Sequence, residues 1–164
     1  MARRVLVDSG PIVALLDRRD LHHQWVQREL ANLHEAFVTC EAVLSEVFFL
    51  VSRIRHGNST LIALLRDGLI STTADFSYEK ESAEILRHLE RYSNVPMSFA
   101  DACLVRMCEI DHDAIVFTTD RDFLTYRRNR RQLIPLISPF SALPQSRSPW
   151  SRSHISAGPD SANR

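Results

Sequence analysis

The stretch Arg4–Asp17, RVLVDSGPIVALLD, decides the fold. Val5, Leu6 and Val7 read as a short apolar strand that stops at Asp8. A second apolar run, Ile12 to Leu16, follows at once and reads as a helix. Pro11 suits its first turn, with Ser9 or Gly10 as the cap. Asp8 therefore stands at the carboxyl end of a buried strand, between two segments that both avoid water. Such a carboxylate is either a turn or cap residue or a ligand for something that enters the fold.

The alternation continues along the chain. AFVTC (36–40), LISTTA (69–74), DAIVFTTD (113–120) and LIPLIS (133–138) read as strands. Between them, 21–35, 41–54, 59–68, 77–92 and 97–110 carry helical patterns, and RHGNST (55–60) reads as a turn. Ser77 is placed to cap one helix, with acids in the turn that follows. Gly68 is placed to end another. Strands alternating with helices predict an α/β fold, three layers deep, with a mainly parallel central sheet covered on both faces. The expected domain spans residues 1–140. From Ser141 the chain turns rich in Ser, Pro and Arg, the composition of a disordered tail.

Composition narrows the function. The chain has 164 residues, enough for one domain with its own core. No apolar run approaches the ~20 residues that cross a membrane. The apolar start is too short for a cleavable signal and is broken by Asp8. The three cysteines, Cys40, Cys103 and Cys108, lack framework spacing and read as small core residues of a protein in a reducing compartment. A cytoplasmic location is expected. The formal net charge is zero, but from Tyr126 onward seven arginines face a single acid, Asp160. A net-acidic body with a basic end can hold cations in the one and meet a polyanion with the other.

Four acids stand in apolar company. Asp120 ends its strand as Asp8 does. Glu46 lies inside AVLSEVFFLV, a run apolar on nearly every side, which predicts a buried helix. There an unpaired carboxylate would cost several kcal/mol or take up a proton. A cation, a salt bridge or a solvent-facing stripe would each relieve it. Ser98 and Asp101 are spaced as a capping box. The start of that helix also favours a carboxylate or an approaching phosphate. Four oxygen donors of this kind suit hard cations such as Mg²⁺ or Mn²⁺. There is no zinc-spaced His pair, Gly-rich phosphate loop or G-x-S-x-G elbow.

With these residues in place, the chain resembles PIN-domain ribonucleases of the VapC toxin type. Four segments carry the likeness in order: VLVDSGPIVALLDRRDLHH, VTCEAVLSEVFFLVSR, PMSFADACLVRMCE and VFTTDRDF. It covers Arg4 to Phe140. The resemblance implies a PIN fold and metal-dependent cleavage of RNA. It also implies a homodimer and a small antitoxin encoded beside the toxin. Transfer RNA or ribosomal RNA is the family's usual target. Residue by residue, the family's acids fall on Asp8, Glu46, Asp101 and Asp120, as catalytic residues and ligands of Mg²⁺ or Mn²⁺. Ser9 and Thr118 fall on its hydroxyl positions, and Asp122 lies near the pocket in a variable place. YRRNRR, with Arg127, Arg128, Arg130 and Arg131, is placed to contact RNA phosphates, or to be a solvated loop or an antitoxin-facing surface. Two other readings stay open. One is a non-catalytic PIN-like module that binds RNA or protein. The other is a metal-dependent phosphohydrolase with Asp8 as nucleophile, against which VDSG lacks a second acid.

Overall fold

The structure, a computed structural model, describes residues 4–140. At its centre is β1 (Val5–Val7), buried along its whole length. β1 pairs in parallel with β2 (Phe37–Thr39) on one side and β4 (Ile115–Phe117) on the other. β3 (Ile70–Thr72) and β7 (Leu136–Ile137) extend the sheet to the order β3-β2-β1-β4-β7, every pair parallel. The chain steps outward from β1 through β2 to β3, then crosses to β4 on the far side of β1. That reversal opens a crevice beyond the carboxyl ends of β1 and β4, the place where open α/β sheets bind ligands.

The side-chain period of two sends Val7 and Phe117 to one face and Leu6 and Val116 to the other. The first face is covered by α1 (Ser9–Leu16), α2 (His23–Asn32) and α4 (Gly57–Arg66). Trp25 of α2 packs there, its ring 5.5 Å from that of Phe117. The second face is covered by α6 (Phe99–Ile110), with Met107 beside Leu6 and Val38, and α5 (Tyr78–Arg91) packs against α6. α3 (Glu41–Val51) touches α1, α4 and α6 and so joins the layers. This is the three-layer α/β arrangement the alternation predicts.

Four details differ from the sequence expectation. The cap of α1 is Asp8 itself, whose Oδ1 accepts the Ser9 amide at 2.6 Å. α4 begins at Gly57, inside the expected turn, after His56 takes a left-handed φ of 62°. The helix buried nearly all round is α6, not α3: α3 buries the stripe Val43, Val47 and Val51, while Phe49 is 68% exposed. Lastly, YRRNRR is built into an antiparallel hairpin of β5 (Arg127–Arg128) and β6 (Gln132–Leu133). The expected tail lies outside the described residues. Among those described, no helix is long and apolar enough to cross a membrane.

Candidate active site

Three kinds of chain end meet at the crevice. β1 delivers Asp8, and β4 delivers Thr118, Thr119 and Asp120. α6 runs back from this edge, so its first turn brings Ser98 and Asp101. α3 leaves the same edge after β2 and contributes Glu46 from its second turn. The result is a cleft of about 380 Å³ lined by Asp8, Glu46, Asp101 and Asp120, with Ser9, Gly10, Pro96, Ser98 and Thr119 between them. No Arg, Lys or His is among the lining residues. A larger apolar cavity of about 410 Å³, between α1, α2 and β3, holds none of the four acids.

The carboxylates are held in place by named donors. Thr118, wholly buried, donates through Oγ1 to Asp8 Oδ2 at 2.7 Å and accepts the Asp120 amide at 2.9 Å. Asp120 Oδ1 in turn accepts the Asp122 amide and caps a 3₁₀ turn, Arg121–Leu124. Asp101 Oδ2 accepts the Ser98 amide at 2.9 Å, while the Asp101 amide donates to Ser98 Oγ at 3.0 Å. The capping box therefore forms, and the same carboxylate still faces the cleft. Gly10 allows the close approach of α1 to the β4 loop: a Cβ there would lie 2.2 Å from Thr119 Oγ1.

Burial first, and neighbouring acids second, favour the protonated form of Asp8 and Asp101. Burial pushes the Asp8 carboxyl up to about 7; the charges of Asp101 and Asp120 add to that, and the bonds from Thr118 and Ser9 oppose it. Burial likewise pushes Asp101 up to about 6, with Asp120 and Glu46 adding repulsion. The cost of a buried carboxylate therefore falls on Asp8 and Asp101. Glu46, half-buried on a helix with an exposed face, is less enclosed than the sequence predicts.

Ser9 lines the cleft and Thr118 holds two of its acids; Asp122 is not among the lining residues, but its amide donates to Asp120 Oδ1 and its charge acts on the Tyr126 hydroxyl. Tyr126 is a partner that sequence reasoning missed. It is fully buried and its hydroxyl donates to Asp101 Oδ2 at 3.3 Å. Burial and the nearby acids push that hydroxyl's pKa up, so it stays a donor. Of the arginines, Arg127 spends Nη1 on the carbonyls of Leu124, Thr125 and Tyr126. Arg128 Nη1 donates to the His112 carbonyl at 2.8 Å, just past α6. Arg130 and Arg131 are exposed.

An all-oxygen cleft without a basic lining residue fits a hard divalent cation. Among the described residues no three His, Cys, Asp or Glu side chains converge into a ready-made cage. Magnesium commonly binds through one or two carboxylates and keeps several waters, so separated acids around an open cleft still suit it. Fold and site together define a parallel α/β domain that gathers carboxylates at its topological switch point. The chain belongs to the PIN domain family, whose model matches residues 5–129. Among solved structures it is similar to VapC20 of Mycobacterium tuberculosis, described as a Sarcin-Ricin loop cleaving toxin. The TM-score is 0.61 at 20% identity, over 72% of this chain and 91% of that one. PAE2754 of Pyrobaculum aerophilum also matches, with a TM-score of 0.47 at 18% identity over 76% and 86% of the two chains. No curated protein matches by sequence.

Proposed function

We propose that this protein is a divalent-cation-dependent endoribonuclease and the toxin of a toxin–antitoxin pair. One observation carries the reading: four carboxylates from four separate segments line a single cleft that has no basic side chain to neutralise them. Membership of the PIN family and the VapC20-like fold support it. A transfer RNA or ribosomal RNA is the proposed substrate. A small antitoxin is the proposed partner, and a homodimer the proposed assembly. The three buried free cysteines suit a reducing, cytoplasmic location.

Asp8 and Asp101 are the proposed holders of Mg²⁺ or Mn²⁺, with Glu46 and Asp120 completing the pocket. When bound, the cation makes water a better nucleophile and offsets charge on the phosphate. The chain's own residues do the rest. Thr118 fixes the Asp8 carboxylate and ties it to the Asp120 loop. Ser98 and Tyr126 engage Oδ2 of Asp101. Asp8 and Asp101 must shed protons that burial favours, so the site accepts a cation best above neutral pH. The products would carry a 5′-phosphate and a 3′-hydroxyl.

The test is RNA-end sequencing after expression of wild type and Asp8→Ala, with purified protein assayed with and without Mn²⁺. Cleavage that needs both Asp8 and the ion supports the reading. Equal cleavage or toxicity in the variant refutes it. One observation favours a non-catalytic binding module instead: Asp8, Asp101 and Asp120 all serve as cap residues and so have structural work without chemistry. Unchanged toxicity of Asp101→Asn, which keeps the cap, would select that reading.

A further inference from the structure

We propose that a second cleft, walled by arginines of α5 and of the β5–β6 hairpin tip, binds RNA phosphates on the flank of the acidic cleft. The inference rests on the ribonuclease reading and adds a subsite to it. The cleft measures about 470 Å³, with Arg87, Arg91, Arg130 and Arg131 on its walls and His88 and Glu109 at its base.

Its acids are already committed. Glu84 on the rim pairs with Arg87. Glu109 accepts from His88 Nε2 at 3.1 Å, Arg106 Nη1 at 3.0 Å and the Asn129 amide at 2.8 Å. Among the described residues, Arg91, Arg130 and Arg131 enter no salt bridge. The local balance is therefore positive, in contrast to the acidic cleft.

The walls are also braced. Arg91 Nη2 donates to the Arg130 carbonyl at 2.6 Å, and its guanidinium lies over the Tyr92 ring at 5.4 Å. Asn129 and Arg130 take left-handed φ values of 48° and 68°. Left-handed φ at successive residues is what the tight turn closing the β5–β6 hairpin requires. Here it puts two consecutive arginines on the cleft.

Placement connects the two clefts. Asp101 and Glu109 lie on the same helix, α6, about 12 Å apart along its axis. The chain from Tyr126 to Asn129 runs beside that helix, bonded to Asp101 at one end and Glu109 at the other. An acidic cleft repels the RNA backbone, and a row of guanidinium forks one short span away supplies the missing attraction.

The experiment uses the full chain carrying Asp101→Asn, so that labelled single-stranded RNA is not cut, and follows binding by fluorescence anisotropy across salt concentrations. Adding Arg91→Gln, Arg130→Gln and Arg131→Gln should lower the slope of log affinity against log salt by about 2, for three phosphate contacts at ~0.7 each. The matching triple Arg→Lys variant should keep most of the slope, which separates lost charge from a loosened hairpin. An unchanged slope in the Gln variant overturns the proposal. Calorimetry with inorganic tripolyphosphate provides the second arm, and its heat should vanish with the arginines. If tripolyphosphate binding is lost while RNA affinity holds, the cleft serves another anion, such as an acidic peptide, and the RNA assignment fails. If the parent protein binds no RNA at any salt, the ribonuclease reading fails and the proposal fails with it.

Discussion

The Thr118 hydroxyl donates to Asp8 Oδ2 at 2.7 Å while accepting the Asp120 amide at 2.9 Å, so one side chain links two acids 112 residues apart in sequence. Its bond is the main force opposing the burial that raises the Asp8 carboxyl. Thr118→Val removes that bond, together with the one from the Asp120 amide, and leaves the shape. The pH midpoint of Mn²⁺ binding, followed by calorimetry, should move upward, and stability should fall by about 1–3 kcal/mol for the two bonds lost. A midpoint that stays put would show that Thr118 does not hold the carboxylate.

Cation binding should itself depend on pH in a defined direction. The Asp8 carboxyl keeps its proton up to about 7 in the folded chain, against an ordinary 3.8. The folded state therefore binds more protons in between, and this group's contribution to stability falls as pH rises from about 4 to about 7. Asp101 adds a smaller effect of the same sign, ending near 6. A cation binds the deprotonated pair, so excess Mn²⁺ should raise the thermal midpoint strongly at pH 8 and little at pH 5. At a concentration one hundred times its Kd the ion contributes about 2.7 kcal/mol. Equal melting shifts at the two pH values would contradict the assignment of these acids.

Asp101→Asn separates chemistry from architecture. The amide oxygen can still accept from the Ser98 amide and the Tyr126 hydroxyl, so the cap survives. The variant should lose RNA cleavage by at least ~10²-fold if the acid is essential. Without divalent cation at pH 7.5 it should be more stable, by on the order of 1 kcal/mol, because each unit of the raised carboxyl represents about 1.4 kcal/mol. A melting curve with and without EDTA, beside an activity assay, checks both. Lower stability would mean that the carboxylate is structural.

The layout of the sheet was legible because short apolar runs alternate with helical patterns, and Val5–Val7 runs directly into the cap of α1, Asp8. Strand ends then located Asp8 and Asp120, and the Ser98–Asp101 spacing located the third acid. Glu46 was found for a reason that does not hold. Its helix reads as buried from every side, yet Phe49 and Leu50 face solvent, since composition cannot say how many faces a neighbour covers. YRRNRR was legible only in part. Charge is visible in sequence, but the inward turn of Arg127 and Arg128 onto carbonyl oxygens is a tertiary choice. Two-residue strands carry no period to read. Tyr126 left no local signal either, because its bond to Asp101 spans 25 positions.

The buried pair of Glu109 and His88 should govern acid stability. Burial pushes the Glu109 carboxyl up, but bonds from His88, Arg106 and the Asn129 amide outweigh it and hold it at about 2. A depressed carboxyl stabilises the fold above its ordinary 4.5, and that gain drains away as pH falls toward about 2. Glu109→Gln should cost about 3 kcal/mol at neutral pH, the scale for breaking a buried pair from one side. The gap between variant and wild type should narrow between about pH 4.5 and 2 in denaturant titrations. A constant gap would mean that Glu109 acts by packing alone.

Tyr126 joins the core to the site, so two substitutions distinguish its roles. Its ring packs edge-on against Tyr92 and Phe123, with centroids 5.1 Å and 5.3 Å away. Tyr126→Phe keeps those contacts and deletes the donor to Asp101. Stability should drop by only about 1 kcal/mol, the net value of one such hydrogen bond. Asp101 would then be held by Ser98 alone, so kcat for RNA should fall while KM changes little. Tyr126→Ala also removes the ring and should cost about 3–5 kcal/mol, enough to threaten folding. A Phe variant with wild-type kcat would limit Tyr126 to packing and leave the capping box as the sole positioner of Asp101.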